Sequence, residues 1–557
     1  MDSASPCPKE PEIGSFKKIQ LTRGLTESTL HPAVARLCRA TQHSKLNPTI
    51  MRFNFFSRNT APAVNHEGAP AFTLTPQVEL YAAVATAALS DQFYEKADTR
   101  LERLRDLVAK NEPLFVAQLA VYARESLNLR SVPLVLCVEL ARLHRGDSLV
   151  SRLVARVVQR PDEITELLAF YAQANARSGT KILNRLSKQL QKGLALSFNR
   201  FDGYQLAKYD RDGAVRLRDA LFLVHPNAKD EAQQALFDQL VRGELPTPYT
   251  WETELSAVGQ GTYATEADRQ TAVRQTWETL IASGKLGYMA LLRNLRNILE
   301  ANVSFQTIER VCDTLADRFA VARSKQLPFR FLAAYREVKA LPSGHVAGVL
   351  AALETAIAHS AGNLRGFGPD TRVVVACDVS SSMQKAISPR SKVLLYDVSL
   401  VLGMLLQSRC QNVITGMFGD TWKRISMARG PVLRNVEEFY KREGEVGYST
   451  NGHLVIKDLR MRAEAVDKVI IFTDVQLWNS TGDGGTLAQE WAEYRRTVAP
   501  NARLYLFDLA GHGTAPLEVR PETGVALVAG WSDKVFDVLS ALDNGGSALT
   551  EIEKIEL

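Results

Sequence analysis

Arg372-Val-Val-Val-Ala-Cys-Asp378-Val-Ser380-Ser-Ser382 is the stretch that decides the fold of the carboxyl-terminal part of this chain. Its first half is a continuous apolar run, typical of a central parallel strand that is buried on both faces. A second such run, Asp467-Lys-Val-Ile-Ile-Phe-Thr-Asp474, also ends on an aspartate. Because ligands bind at the carboxyl ends of strands in open α/β sheets, we expect Asp378 and Asp474 to converge at one sheet edge.

Hydroxyl groups stand where they would complete an oxygen-only cation site with these carboxylates. Ser380 and Ser382 follow the first strand, and Thr450 lies between the two strands in Gly447-Tyr-Ser-Thr450-Asn-Gly. Two carboxylates with neutral hydroxyls suit Mg²⁺ or Mn²⁺ better than Zn²⁺, which prefers His or Cys. Taken alone, Asp-x-Ser-x-Ser has another interpretation, a turn that caps the next helix.

Further apolar runs predict additional strands at residues 412–418, 502–509 and 525–528. Segments 391–409, 486–496 and 532–542 between and after them have helical patterns. Alternating strands and helices predict a doubly wound parallel sheet that is covered on both faces. We therefore expect an α/β domain over residues 366–557.

The preceding part of the chain, residues 56–365, has an almost entirely helical pattern. Its amphipathic stretches, several with Pro near the first turn, are residues 76–89, 99–110, 113–127, 133–143, 149–156, 264–283, 287–301, 305–319 and 329–340. Paired helices that follow one another with short breaks predict a solenoid in which each unit buries its apolar face on its neighbours.

Length and composition limit the class of protein. At 557 residues the chain is too long for one core, and its 46% apolar residues are typical of soluble globular domains. No apolar run reaches membrane-spanning length, and the amino terminus lacks a signal peptide, so we expect a cytoplasmic protein. The six cysteines form no C-x-x-C pair and are interpreted as reduced thiols. Residues 1–55 form an uncertain extension, either a disordered basic arm or sequence before an internal start at Met51.

Basic residues are concentrated in one segment of the helical part, although the net charge is only +6. The cluster consists of Lys181, Arg185, Lys188, Lys192, Arg200, Lys208, Arg211, Arg216 and Arg218. The only acidic residues within it are Asp202, Asp210 and Asp212. Such density suits a phosphate backbone, and the alternative is a solvated helix face. The interleaved Phe198, Phe201, Tyr204 and Tyr209 either stack on unpaired bases or belong to the core.

No catalytic constellation is evident, so we do not expect an enzyme. Histidines are few and dispersed, and Ser380 and Ser382 have no base beside them in the sequence. Metal-dependent hydrolysis, a third possibility after RNA binding and protein adhesion, lacks a general base. The sequence therefore favours a binding function.

The motifs of residues 366–557 together resemble the von Willebrand factor A domain with its metal-ion-dependent adhesion site. The resemblance implies that Asp378, Ser380, Ser382, Thr450 and Asp474 are direct or water-mediated ligands of the ion. It also implies that the open coordination position takes an acidic group from a partner.

Four segments of the helical part carry a second resemblance, to the TROVE module. They are residues 120–133 (AVYARESLNLRSVP), 246–252 (PTPYTWE), 289–297 (MALLRNLRN) and 327–331 (LPFRF). A TROVE module followed by an adhesion-type domain is the arrangement of the Ro autoantigen family, and the chain is similar to its bacterial members over residues 60–557. This resemblance implies a ring of HEAT-like helical repeats. It also implies that the α/β domain closes that ring.

The Ro resemblance also implies RNA contacts. Family members bind small structured Y RNAs on the outer surface of the ring and single-stranded RNA ends through its hole. Lys208-Tyr209 and His225 match family contact positions, whereas Arg211 is displaced by one from a basic position. His225 by itself, before Pro226, is typical of a helix terminus.

The resulting expectation is a monomeric RNA-binding protein in noncoding-RNA quality control. Its implied partners are a small Y-like RNA, single-stranded ends of misfolded RNA and a 3′-to-5′ exoribonuclease. The predicted RNA-binding residues are Lys181, Arg185, Lys188, Lys208, Arg211, Arg216, Arg218 and His225. The alternative is a Mg²⁺-dependent protein-adhesion or chelatase-type subunit in which the helical ring is only a scaffold.

Overall fold

The structure, a computed structural model, describes residues 62–86, 96–175, 186–213, 215–362, 364, 366–388, 391–480, 482, 485–543 and 547–557. The expected extension over residues 1–55 and the internal start at Met51 lie outside these residues. The described residues form one compact unit.

A short hairpin precedes the helices. Its strands are β1 (Pro62–Val64) and β2 (Pro70–Thr73). The helices that follow are α1 Pro76–Ala85, α2 Ala97–Lys110, α3 Pro113–Glu125, α4 Ser131–Leu143, α5 Leu149–Val157, α6 Pro161–Ala174, α7 Lys188–Phe198, α8 Gly203–Tyr209, α9 Leu217–Val224, α10 Glu231–Arg242, α11 Trp251–Gln260, α12 Glu266–Ala282, α13 Tyr288–Arg293, α14 Leu295–Glu300, α15 Phe305–Ala316, α16 Arg318–Ser324, α17 Phe329–Lys339 and α18 Val346–Ser360.

The prediction of an all-helical series is confirmed except at the hairpin and at two breaks. The stretch 287–301 divides at the buried Asn294, whose amide donates to the Ala290 carbonyl at 2.9 Å. The stretch 305–319 divides at Asp317, whose carboxylate accepts from the Ala320 amide and begins α16. Short polar side chains that bond to nearby backbone groups compete with the helix in this way.

The α/β part contains β3 Arg372–Asp378, α19 Leu395–Arg409, β4 Asn412–Phe418, β5 Trp422–Arg424, α20 Val432–Tyr440, α21 His453–Met461, β6 Lys468–Thr473, α22 Leu487–Thr497, β7 Arg503–Asp508, β8 Thr514–Ala515, β9 Val525–Ala529, α23 Val535–Asp543 and α24 Ala548–Glu553. Its sheet has the order β5-β4-β3-β6-β7-β9, parallel throughout except for β5. The chain goes from β3 to β4 on one side and later to β6 on the other. The predicted doubly wound sheet is confirmed, with its switch point at β3.

The predicted central strand is buried on both faces. From Val373 to Cys377 every residue of β3 is at most 1% exposed. Helix α19 packs closely on this strand, because a Cβ atom at Gly403 would lie only 3.1 Å from the Cys377 sulfur. Burial raises the pKa of the Cys377 thiol to about 12, as expected for a core cysteine.

The α/β part contacts both ends of the helical series. Helices α17 and α18 pack on α19 and α20, whereas α1 contacts β9 and α24. The Gln118 amide of α3 donates to the carbonyls of Glu553 and Ile555 at 2.9 and 3.0 Å. The series is therefore closed through the α/β part, as the Ro resemblance implied.

The amino-terminal hairpin belongs to a second sheet, which the sequence did not predict. Strand β2 pairs with β8, which follows β7 of the α/β part, and Phe72 lies opposite Ala515.

Among the residues described, no helix has the length and apolarity to cross a bilayer.

Candidate metal site and basic surface

Asp378 and Asp474 lie at neighbouring strand ends, as the sequence predicted. Asp378 ends β3, and Asp474 follows β6, its hydrogen-bonded neighbour. Ser380 and Ser382 come directly after β3, and all four side chains are at most 2% exposed. Their location is the crevice at the switch point of the sheet, where ligands bind in open α/β folds.

Hydrogen bonds fix the orientation of the Asp378 carboxylate. One oxygen accepts from the Ser380 amide at 2.8 Å, and the other accepts from the Thr473 hydroxyl at 2.6 Å. The hydroxyl oxygens of Ser380 and Ser382 are 3.2 Å apart. Thr473, to which the sequence analysis gave no role, is therefore part of the site. The signal for it was its position just before Asp474 at the end of a strand.

Thr450 is brought to the same crevice by a long loop. Its hydroxyl oxygen accepts from the Trp478 amide at 3.1 Å, and it is 4% exposed. The fully buried Asn451 holds this loop, because its backbone amide donates to the Gly419 carbonyl at 3.2 Å and its side chain accepts from the Ser480 amide at 2.8 Å. The structure thus brings all five predicted metal-ligating residues together.

Glycine is required where this loop approaches the end of β4. Gly447 has a φ of +71°, and a Cβ atom there would lie 2.1 Å from a carboxylate oxygen of Asp420. That carboxylate accepts from the Ser449 amide at 3.0 Å and so sets the path of the chain one residue before Thr450.

The electrostatics of the crevice favour a cation. Burial and the charge of Asp474 raise the pKa of Asp378, and burial also raises the pKa of Asp474. Within the part of the chain that the structure describes, neither carboxylate forms an ion pair with a lysine or arginine. Two buried like charges without a basic partner are unfavourable, and a divalent ion would relieve that repulsion. The donor set therefore fits Mg²⁺ or Mn²⁺.

Two exposed aromatic side chains border the crevice. Tyr448 is 45% exposed and Trp478 is 40% exposed. The Tyr448 carbonyl accepts from the Ser381 amide at 3.0 Å, and Trp478 bonds Thr450 as described above. Exposed tyrosine and tryptophan are typical of protein contact surfaces.

The structure describes only part of the basic segment. Lys181 and Arg185 lie outside the described residues. Lys188 and Lys192 are exposed on α7, and Arg211 is exposed after α8. The Lys208 ammonium lies over the rings of Tyr204 and Tyr209, at 5.6 and 5.7 Å from their centroids.

Two further cations of the cluster have carboxylate neighbours. Arg216 pairs with Asp212 at 2.8 Å, and Arg218 approaches Asp219 at 3.8 Å. Both pairs are largely exposed, and such pairs contribute at most about 1 kcal/mol, so a phosphate can compete for either arginine.

The aromatic residues of this region divide between core and surface. Phe198 and Phe201 are 0% and 3% exposed and belong to the core. Tyr204 is 47% exposed, whereas the Arg160 guanidinium covers the ring of Tyr209 at 4.5 Å. Of the four, Tyr204 is the exposed ring available for base stacking, with the Lys208 ammonium near it.

His225 ends α9 in the left-handed conformation, with φ 50° and ψ 58°. Its exposed side chain lines a cleft of about 560 Å³ between α9 and α10, together with Phe222, which is 57% exposed. The helix-terminal position expected of this histidine is what the structure shows.

Comparison with known proteins adds a match to a family model and matches to two curated relatives. The family model of the TROVE domain matches residues 80–244 and 237–347. Two curated relatives are Telomerase protein component 1 of Mus musculus and of Rattus norvegicus, each 26% identical over 312 and 306 residues. The matches cover 42% and 41% of this chain but only 11% of each relative. The chain thus spans about a tenth of the length of these relatives.

A solved structure matches the fold. The crystal structure of the Deinococcus radiodurans Ro (RSR) protein superimposes with a TM-score of 0.51 at 18% identity, covering 78% of this chain and 93% of that one. Neither part of this chain alone amounts to 78% of it, so the shared fold includes both the helical series and the α/β part. The TROVE match and the shared fold support the resemblance that the sequence indicated.

Proposed function

Since this chain carries a TROVE domain closed by an α/β domain, we propose that it is an RNA-binding protein that works in a ribonucleoprotein. The TROVE match over residues 80–347 is the observation that carries the proposal. The basic segment lies inside that match. Its exposed Lys188, Lys192, Arg211 and Tyr204 offer phosphate and base contacts within one segment of the chain.

The finer proposal concerns the RNA and its fate. We propose a small structured Y-like RNA as the resident ligand, single-stranded ends of misfolded RNA as the cargo, and a 3′-to-5′ exoribonuclease as the protein partner in RNA quality control. The Ro resemblance supports this. We propose a cytoplasmic monomer, and the four described cysteines, all free thiols, are consistent with a reducing compartment.

We also propose that the α/β domain binds Mg²⁺ or Mn²⁺ through Asp378, Ser380, Ser382, Thr450 and Asp474. The buried carboxylate pair supports this assignment. The ion would supply an open coordination position for an acidic group, and the exposed Tyr448 and Trp478 would contact the protein that brings it.

Replacing Lys208 and Arg216 by alanine tests the RNA interface. We expect about tenfold weaker binding of a labelled RNA stem-loop with a single-stranded 3′ tail, equivalent to ~1.4 kcal/mol. The slope of log Kd against log salt should fall by about one for each lost phosphate contact. Fluorescence anisotropy over a salt series measures both quantities.

A control variant removes two cations elsewhere. Lys441 and Arg496 of the α/β domain are exposed and paired with nearby glutamates, as Arg216 is paired with Asp212. Replacing both by alanine should leave affinity and slope unchanged. An equal loss in the two variants would mean that only net charge matters and would remove Lys208 and Arg216 from the interface.

The resident RNA can be identified directly. We expect that the protein isolated from its own cells at low salt carries one dominant small structured RNA, read by sequencing the co-purified RNA. Recovery of no enriched RNA would contradict the ribonucleoprotein proposal and favour an adhesion or chelatase-type subunit.

A further inference from the structure

The cleft between α9 and α10 lies where the basic segment ends. Its volume of about 560 Å³ is within the range of ~300–1,000 Å³ that is typical of small-molecule sites. Leu221 and Phe237 line it from the core, since they are only 9% and 2% exposed. The ring of Phe237 meets that of Phe198 edge to face, with centroids 6.0 Å apart. This side of the cleft is therefore apolar and anchored in the core.

An exposed aromatic side chain also lines the cleft. Helix α9 buries Leu217 and Val224, whereas Arg218 and Phe222 face solvent. Phe222 is 57% exposed, which is unusual for so large an apolar side chain unless a ligand covers it. Because Arg218 and Phe222 are four residues apart, they are neighbours on one helix face. A phosphate bound by Arg218 would thus bring an adjoining base to the Phe222 ring.

The loop that borders the cleft is held in one conformation. The Asn199 side chain donates to the Asn227 carbonyl at 2.7 Å and accepts from the Lys229 amide at 2.9 Å. His225, which lines the cleft, has a φ of 50°, an unfavourable conformation for a residue that precedes proline. Such strain persists where the surrounding structure holds it, and it concentrates at binding sites. This end of the cleft is therefore preformed.

Polar side chains of α10 make the cleft better suited to a base than to a phosphate. One oxygen of the Asp238 carboxylate accepts from the Gln234 amide at 2.9 Å, and both residues line the cleft. A carboxylate repels phosphate, but it has about four acceptor positions for N–H groups. Guanine presents two N–H groups on one edge, N1–H and the 2-amino group. Arg242, also at the cleft, is paired with Glu244 at 3.2 Å in an exposed pair that a nucleotide phosphate can replace.

We propose that this cleft binds one unpaired base of the RNA, guanine in preference to the other bases. The base stacks on the Phe222 ring, and the Asp238 carboxylate accepts from its N1–H and 2-amino groups. This inference rests on the proposed RNA binding. It adds a sequence preference to a surface whose other contacts are to phosphates, which carry no sequence information.

Short labelled single-stranded RNAs test the preference on the full chain. The RNAs contain only uridine except at one central position, which is guanosine, inosine, adenosine or uridine. We expect the guanosine RNA to bind roughly tenfold more tightly than the all-uridine RNA, because stacking and a paired hydrogen bond both favour it. Inosine lacks the 2-amino group and should lose most of this advantage. Fluorescence anisotropy measures the four affinities.

Two variants assign the preference to the cleft. Phe222→Leu should weaken binding of the guanosine RNA at least about fivefold. The slope of log Kd against log salt should not change, because no phosphate contact is lost. Asp238→Asn should bind the guanosine and inosine RNAs equally well, since the acceptor that distinguishes them is then altered. Both residues are exposed, so neither change should alter the thermal midpoint.

Matched controls make the same changes on another helix. Phe305→Leu and Asp313→Asn alter exposed residues of α15 and should leave all four affinities unchanged. A guanosine preference that persists in both Phe222→Leu and Asp238→Asn would overturn the inference, because the preference would then arise elsewhere. Equal weakening of all four RNAs by the two cleft variants would overturn it as well.

The variant with Lys208 and Arg216 replaced by alanine separates this inference from the proposed function. A reduced salt slope in that variant, together with equal binding of the four RNAs by the unmodified protein, would overturn the base site and leave RNA binding intact. Absence of binding of these RNAs and of the stem-loop by the unmodified protein would contradict both proposals.

Discussion

Asp378→Asn should abolish stabilisation of the protein by Mg²⁺. Asparagine has the shape of aspartate but no charge, and Asp378 is one of only two carboxylates among the five proposed ligands. We expect at least a hundredfold loss of Mg²⁺ affinity, or about 2.7 kcal/mol. The unmodified protein should gain about the same free energy of unfolding when Mg²⁺ is present at a hundred times its Kd.

Without Mg²⁺, Asp378→Asn should be at least as stable as the unmodified protein. In EDTA the variant lacks one of two buried like charges, so its thermal midpoint should be equal to or higher than that of the unmodified protein. Thermal unfolding in EDTA and in excess MgCl₂ measures both effects. Asp370→Asn is the control, because it makes the same change at an exposed position before the other end of β3. A Mg²⁺-dependent rise of the midpoint in Asp378→Asn would contradict the ligand assignment.

Arg336→Met should destabilise the contact between the helical series and the α/β domain by ~3 kcal/mol. The Arg336 guanidinium of α17 bonds Asp397 at 2.8 Å and Glu437 at 2.7 Å and lies 4.8 Å from the ring of Tyr440. Asp397 is completely buried. These carboxylates raise the pKa of Arg336 despite its burial. Removing the arginine leaves the Asp397 charge buried without its partner, which is the costly way to break such a pair.

Denaturant unfolding of the full chain measures this loss. Lys339→Met is the matched control, since Lys339 pairs with Glu437 at 3.1 Å but is 44% exposed, so its loss should cost under about 1 kcal/mol. Combining Arg336→Met with Asp397→Asn should recover part of the loss, because the uncompensated charge is then gone. Equal effects of Arg336→Met and Lys339→Met would show that the buried pair does not stabilise this junction.

The basic surface shows how far the local concentration of charge can predict an RNA interface. The sequence identified a segment with too many cations for its few aspartates, and the structure places Lys188, Lys192 and Arg211 of that segment in solvent. The sequence did not decide whether the aromatic residues of this segment stack on bases or belong to the core. Burial decides that question, because Phe198 and Phe201 pack inside while Tyr204 faces out. Both environments accept the same residue type, so the sequence could not separate them.

Sequence alone determined the elements whose information is local. Apolar runs that end on Asp378 and Asp474 specify buried strands and the residues at their carboxyl ends, and the order of strands and helices specifies the doubly wound sheet. The five proposed metal ligands could therefore be predicted. Only the tertiary structure decided that Thr473 holds Asp378, that Asn451 holds the Thr450 loop, and that His66 of the amino-terminal hairpin bonds the Gln476 side chain. Those contacts join distant segments through single hydrogen bonds, which leave no periodic pattern in the chain.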